Sequence, residues 1–538
     1  MTLFEKQQVG RNARDIKMSK IQIFDTTLRD GQQTKGISYT VEDKIKISRI
    51  LDDLGVTYIE GGWPGASPNV DEFFEAMKNV ELKNAKLTAF GSTRRAVNPP
   101  EKDILLNKII NCGASVACIF GKSWDLHVTE ALKITLEENL QIIEDSLAYL
   151  KANGMETLYD AEHFFDGYKA NSEFALETLK AAERGGAECL ILCDTNGGTM
   201  PSEVAEIIEK ITPELKTPLG IHAHNDTELA VANSVTAVQK GAVHVQGTIN
   251  GYGERCGNAN LCSVIPNLQI KLGFECIPEE NLSKLMKVSH QVSEIANMAP
   301  IDNQAYVGLN AFAHKGGIHV SAILKNSDTY EHIKPGIVGN KQVVTVSDQA
   351  GMSNVVYKAE KFGIEIDKKD PRLKELVKEV KDLENYGYTF EEGEASFELL
   401  MRRTLGLYDR FFTLKGFRVI DEKRGHDDQV IVEATVKVNV NEEIFHTAAM
   451  GNGPVSALDH ALRKALENIY PEINAIHLTD YKVRVLNSNG GPDAMVRVLI
   501  ESTDGENSWG TVGVSTNIIE ASWRALIDSI EYKLLKDK

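Results

Sequence analysis

His222 and His224 stand two residues apart in GIHAHND, inside a short β-type run where the two-residue period points both imidazoles to one face. Two imidazoles on one face make half of a metal site. Another such run ends in FDTTLRDGQQ, which clusters Arg29, Asp30 and Gln33 at its exit, and a third is followed by GYGERCGN, which holds Asn258. One carboxylate, two imidazoles and an amide oxygen suit Zn2+, Mn2+, Mg2+ or Fe2+ with positions left open, and open positions imply catalysis rather than structure. A 2-oxo acid fits such a centre, because its keto and carboxylate oxygens can chelate a cation that polarises the carbonyl. Arg29 is placed to neutralise charge developing on that oxygen, with an ion pair to Glu162 or Asp25 as the structural alternative. DAEHFFDG places Glu162 to orient substrate, and LCDTNGG offers Thr195 as a donor to a carboxylate beside Asp194, whose alternative use is to cap a helix.

These residues need a frame that brings strand ends together. From about residue 20 to 275, β-rich runs alternate with helical patterns: Ile21–Phe24, Val56–Glu60, Leu87–Phe90, Val116–Phe120, Thr157–Tyr159, Cys189–Cys193, Leu219–Ala223 and Val243–Ile249. Thr40 with Asp43 reads as a helix start and Gly55 as its stop, around a face of Ile47, Ile50, Leu51 and Leu54. Eight strand–helix repeats over this length predict an α/β chain built on a (β/α)8 TIM barrel, whose chemistry belongs at the C-terminal ends of the strands. No GxGxxG follows the first run, which argues against a doubly wound open sheet. Residues 276–404 lose the strand signal and read as helical linker subdomains, including Asn281–Met298 and Pro371–Asn385. Residues 405–538 regain strands, at Gln429–Val440, Tyr481–Leu486 and Ala494–Glu501, and add two helices that superpose on a 61-residue shift, so an α+β domain of two ββα-type units is expected. Residues 1–19 read as a leader without assigned function.

Composition narrows the partners. The chain has 538 residues, 42% hydrophobic and 25% charged, enough for several cores, and its net charge of −18 repels phosphate backbones and anionic lipid surfaces. Nucleic acid and membrane are therefore not expected as partners. No apolar run long enough for a bilayer crossing and no secretory signal is present, so the expected compartment is the cytoplasm. The seven cysteines include no CxxC pair, which argues against disulfides and thiolate zinc.

DTTLRDG, HAHND and the GYGERCGN turn together resemble the α-isopropylmalate, homocitrate and citramalate synthases, over nearly the whole chain. That resemblance implies a metal-dependent barrel enzyme that condenses acetyl-CoA with a 2-oxo acid and hydrolyses the thioester. It implies Asp30, His222, His224 and Asn258 as metal ligands for Zn, Mn or Mg, and Arg29, Gln33, Glu162 and Thr195 as substrate contacts. Gly253, Glu254 and Arg255 are read as cofactor-binding. His314 in AFAHKGGIH matches the family's acid–base histidine and Tyr330 in DTYEHIKP the tyrosine presented with it, so the linker is expected to contribute to the active site. HKGGIH lacks the acidic residue that simpler citramalate synthases carry two places after the histidine, leaving the partner of His314 open. IEGGWPGASPN and DTNGG are similar to the longer citramalate synthases and imply pyruvate as acceptor, with Trp63 either closing the acceptor pocket or merely packing. Isopropylmalate or homocitrate synthesis is the alternative within the family. The resemblance further implies a C-terminal domain that regulates and dimerises, with isoleucine as effector facing the turns Ala448–Pro454 and Gly510–Thr516. The donor set alone also allows an Fe2+ oxygenase or a retro-aldol lyase.

Overall fold

The computed structural model describes residues 20–346, 351–426, 429–486 and 494–538; the expected leader lies outside them. The chain divides into two compact units, one running to Phe312 and including Pro335–Lys341, the other made of Ala313–Lys334 and Gln342–Lys538.

The first unit is the expected barrel. Strands β1 (Gln22–Asp25), β2 (Tyr58–Gly62), β3 (Lys86–Ser92), β4 (Val116–Lys122), β5 (Glu156–Glu162), β6 (Cys189–Asp194), β7 (Leu219–Ala223) and β8 (His244–Gly247) close in sequence order. Closure is made by parallel pairing of β8 with β1, from Gln22 opposite His244 to Asp25 opposite Gly247. The connecting helices start and stop where the side chains dictate. Helix Val41–Leu54 begins with Thr40 accepting from the Asp43 N–H at 3.2 Å while the Asp43 carboxylate accepts from the Thr40 N–H at 3.0 Å. It ends at Gly55, whose φ of 94° is open to glycine and costly for other residues.

Strand periodicity grades the interior from apolar to polar along the barrel axis. Inward positions begin with Phe24, Tyr58, Leu158 and His244 and end with Glu60, Asp160, Gln246, His222 and His224. Phe24, Tyr58 and His244 form a ring cluster with centroids 5.4 to 5.8 Å apart. Val116, Cys118, Leu158, Cys189, Ile191 and Cys193 complete that packed layer. All seven cysteines are free, and burial pushes the Cys118, Cys189 and Cys193 thiols up, away from reactivity. The polar ends of the strands are thus held over a rigid floor.

In the second unit, β9 (Ala313–His314) and β10 (Val343–Val344) form a short parallel pair that the sequence did not signal, since two-residue strands leave no period to read. Helices Met352–Lys361, Arg372–Tyr386 and Glu394–Thr404 follow. The C-terminal part corrects the expected ββα repeat: each half has three antiparallel strands before its helix. The first is β11 (Thr413–Glu422), β12 (Ile431–Val440) and β13 (Glu443–Gly451) with helix Pro454–Leu466. The second is β14 (His477–Val485), β15 (Val496–Thr503) and β16 (Ser508–Ser515) with helix Ile518–Asp537. Each leading strand carries a register shift near its start, between Leu414 and Gly416 and between Leu478 and Asp480, which strengthens the duplication.

The small-residue stretches expected as effector-facing turns are mostly strand instead. Ala448–Gly451 ends β13 and Gly510–Ser515 lies in β16. Their glycines serve close packing: a Cβ on Gly513 would stand 2.0 Å from the Ala521 carbonyl oxygen, and one on Gly451 would stand 2.4 Å from the Ala457 nitrogen. Each helix is thereby seated directly on its sheet.

Candidate active site

The loop after β1 is wound tightly by its own polar groups. The Asp25 carboxylate accepts from the Thr27 N–H and hydroxyl, both at 2.9 Å, and the N–H groups of Arg29 and Gly31 donate to the Thr26 carbonyl. This turn delivers Asp30 to the barrel mouth, where it is 2% exposed. There its Oδ2 lies 3.7 Å from His222 Nε2 and 3.9 Å from His224 Nε2, while the two imidazole nitrogens are 3.2 Å apart. The three potential ligand atoms lie within 4.8 Å of one another.

The electrostatics favour a cation at this point. Burial acts to raise the Asp30 carboxyl, but Arg29 and the two imidazoles outweigh it and hold the group below the usual carboxylate range. Burial, helped by His222, pushes His224 down to about 3, so its ring is neutral and offers a lone pair. Asn258 pairs with His224 through an isolated β-bridge and is 2% exposed, and neither its amide nitrogen nor its oxygen has a hydrogen-bond partner among the described residues. Buried amides are normally satisfied. An orphaned one beside a carboxylate and two imidazoles fits a divalent cation.

Arg29 corrects the expected pairing. Its partners are Glu60, at 2.6 Å from Nε, and Asp30, at 2.9 Å from an end nitrogen, not Glu162 or Asp25. Glu60 is a fully buried residue of β2 that also accepts from the Thr26 hydroxyl. The guanidinium lies 3.8 Å over the Phe90 ring. Phe90 stacks on Phe120, and Trp63 meets both edge-on with centroids 5.8 and 5.7 Å away. Trp63 therefore packs, and what it packs into is an aromatic wall at the exits of β2, β3 and β4 beside Arg29.

Glu162 ends β5 and is ion-paired with Lys122 at the end of β4. The Thr195 hydroxyl accepts from the His163 N–H at 2.9 Å. Asp194 holds the following loop through Thr199 and Asn233. Gln33 is exposed on the single turn after Asp30. Of the GYGERCGN turn, the Gly253 N–H donates to the Thr34 hydroxyl at 2.7 Å and the Glu254 N–H approaches Asp30 Oδ1 at 3.4 Å. The Arg255 guanidinium braces Asp226 and the Thr195 carbonyl.

Sequence reasoning passed over His127 and His163, which meet edge-on at 4.5 Å after β4 and β5, with Trp124 against both. The sequence signal was that His163 directly follows Glu162; the structure adds that it adopts a φ of +56°, rare outside glycine. In the second unit, His314 Nε2 lies 3.3 Å from Glu331, whose side chain is 3% exposed and also accepts from Gln342 at 2.8 Å. Tyr330 instead stacks on His319 at 4.2 Å.

The HMGL-like family pattern matches residues 20–292, a homocitrate synthase post-HMGL domain-like pattern matches 306–387, and the LeuA allosteric (dimerisation) domain matches 392–534. An (R)-citramalate synthase of Geobacter sulfurreducens is 58% identical over 97% of this chain and 99% of its own length. One from Aquifex aeolicus is 58% identical over 96% and 98%. A 2-isopropylmalate synthase of Methanocaldococcus jannaschii is 35% identical over 96% and 95%.

Proposed function

The chain belongs to the HMGL-like family and, within it, to the (R)-citramalate synthases, and from that premise we propose how its residues join acetyl-CoA to pyruvate and release (R)-citramalate and CoA. The observation that carries the reading is the buried Asp30–His222–His224 triad with the Arg29 guanidinium against it. Asp30, His222 and His224, with the Asn258 amide beside them, would hold a divalent ion, Zn, Mn or Mg. Such an ion supplies a Lewis acid for the keto acid.

The remaining work falls to the chain. Arg29, clamped by Glu60, holds fixed positive charge where negative charge grows on the acceptor oxygen. Glu162, Thr195 and Gln33 orient the acceptor, and the turn at Gly253, Glu254 and Arg255 contributes to binding acetyl-CoA. His314, held by Glu331, removes a proton from the acetyl methyl, with Tyr330 of the same segment as a further catalytic contact; the resulting carbanion attacks the keto carbon, whose oxygen then takes up a proton. Water then cleaves the thioester. The Trp63–Phe90–Phe120 wall beside Arg29 is the surface we assign to the acceptor's side chain, and three rings packed together there favour the methyl of pyruvate over the branched chain of 2-oxoisovalerate.

The reading extends to organisation. Residues 20–275 form the catalytic barrel, 276–404 the linker subdomains and 405–538 the regulatory domain, through which the enzyme dimerises and isoleucine feeds back. Among the described residues no helix is long and apolar enough to cross a membrane, in keeping with action in the cytoplasm. The test is free-thiol release from acetyl-CoA with pyruvate, 2-oxoisovalerate and 2-oxoglutarate offered separately, with and without chelator. Pyruvate should be turned over fastest and chelation should abolish the signal; pyruvate as the poorest acceptor overturns the reading.

A further inference from the structure

Gln246 stands on β8 with its side chain turned inward and fully buried. Its Oε1 is 2.7 Å from His222 Nδ1 and its Nε2 is 2.9 Å from Asp160 Oδ1 on β5. Asp160 is 4% exposed and His222 is 5% exposed, so no bulk water competes for these groups. A primary amide has one accepting end and one donating end, and a carboxylate has no hydrogen to give. Asp160 therefore takes the amide NH2, which turns the amide carbonyl toward His222. Facing an acceptor, His222 Nδ1 must carry the ring hydrogen. The lone pair is then left on Nε2, the nitrogen 3.7 Å from Asp30 Oδ2 and 3.2 Å from His224 Nε2.

The second histidine has no such support, since His224 Nδ1 is buried without a hydrogen-bond partner among the described residues. We infer that Asp160 and Gln246 are positioning residues, a two-member relay across the barrel that fixes the tautomer and ring orientation in which His222 presents Nε2 to a divalent cation. The inference rests on the metal reading of the Asp30–His222–His224 site. It assigns a task to two buried polar side chains, Asp160 and Gln246, that the proposed reaction does not otherwise use. Outer partners of this kind are worth about 10- to 100-fold in metal affinity.

The test exploits the direction of the relay. In Asp160→Asn the new amide can donate or accept, so Gln246 is free to flip and the tautomer is no longer selected, although residue 160 never touches His222. Gln246→Met keeps the volume and removes both bonds. The double variant Asp160→Asn with Gln246→Glu reverses the donor: the carboxylate introduced at position 246 accepts both from the amide NH2 introduced at position 160 and from His222 Nδ1–H. Mn2+ binding to the purified full-length chain, followed by calorimetry and by quenching of the free-ion paramagnetic resonance signal, should weaken about 10- to 100-fold in each single variant. The double variant should return close to the parent. A merely structural role predicts no such recovery. Parent-like affinity in both single variants, or a double variant no tighter than Asp160→Asn, overturns the relay while leaving the metal site intact. A parent chain that takes up no Mn2+ overturns the metal reading and the relay with it.

Discussion

At the scale of single residues, the side chains that hold reactive groups matter as much as the groups themselves. Glu331 is the acidic neighbour that HKGGIH lacks: it comes from the segment after Tyr330 and is braced by Gln342. Glu331→Gln keeps a hydrogen-bonding group but not the charge that steadies a protonated imidazole. We expect kcat for thiol release to fall about 10- to 100-fold with little change in KM. Solvent exchange of the acetyl-CoA methyl protons should fall in step, and unchanged exchange would remove Glu331 from the proton-transfer machinery. Arg29→Lys keeps the charge but loses the planar fork that spans Glu60 and Asp30 and lies on Phe90. The expected loss is about 100-fold or more in kcat/KM, read in the same assay. Asp30, His222 and His224 were legible because short motifs display them at strand ends. Glu60, Gln246 and Glu331 were not, because each acquires its partner only through strand register or chain return, which local spacing does not encode.

At the scale of elements, the barrel builds its chemistry on strand exits and its stability on the floor beneath. The aromatic wall uses one ring each from the exits of β2, β3 and β4, so its depth is set by three elements at once. Trp63→Leu should raise the ratio of kcat/KM for 2-oxoisovalerate to that for pyruvate by about 10-fold or more, the scale of one or two methylenes. An unchanged ratio would mean that the wall does not set acceptor size. On the floor, burial between Phe24 and Tyr58 pushes His244 down to about 3. The unfolded imidazole titrates near 6.5, roughly its ordinary value. Because the folded value is the lower, the stability tied to neutral His244 is fully present above the unfolded value, roughly 6.5, and drains away as the pH falls toward 3. The melting temperature of the parent should therefore drop more steeply between neutral and acid pH than that of His244→Phe, by the equivalent of a few kcal/mol at most. Parallel curves would show that the floor histidine does not couple to folding. All eight barrel strands were legible, since buried parallel strands between capped helices write long apolar runs. β9, β10, β11, β13 and β16 were not: β9 and β10 have two residues each, and the small residues in β13 and β16 read as turns.

At the scale of the whole chain, the division into units decides how feedback must be tested. Val355, Leu376, Phe397 and Met401 from the helical stretch share one core with Val512 and Val514 of β16. Ser396 accepts from the Val512 N–H at 3.0 Å, and Arg403 reaches Asp528 and Glu531 at 3.0 and 2.8 Å. Cutting the chain at residue 404 would strip that core, so a truncated enzyme should misfold rather than report on regulation. The full-length chain is the proper object. His314 and Glu331 lie in the same compact unit as the domain that matches the LeuA allosteric (dimerisation) pattern. We therefore expect an effector bound to that domain to act through the body that carries His314 and Glu331. Isoleucine should accordingly lower kcat and slow methyl-proton exchange while leaving KM for pyruvate almost unmoved. It should also raise the melting temperature, since a ligand at about 100 times its Kd adds about 2.7 kcal/mol to the folded state. Inhibition that appears only as a higher KM for pyruvate would place the coupling in the barrel instead, and the absence of both inhibition and thermal shift would rule out isoleucine as the effector.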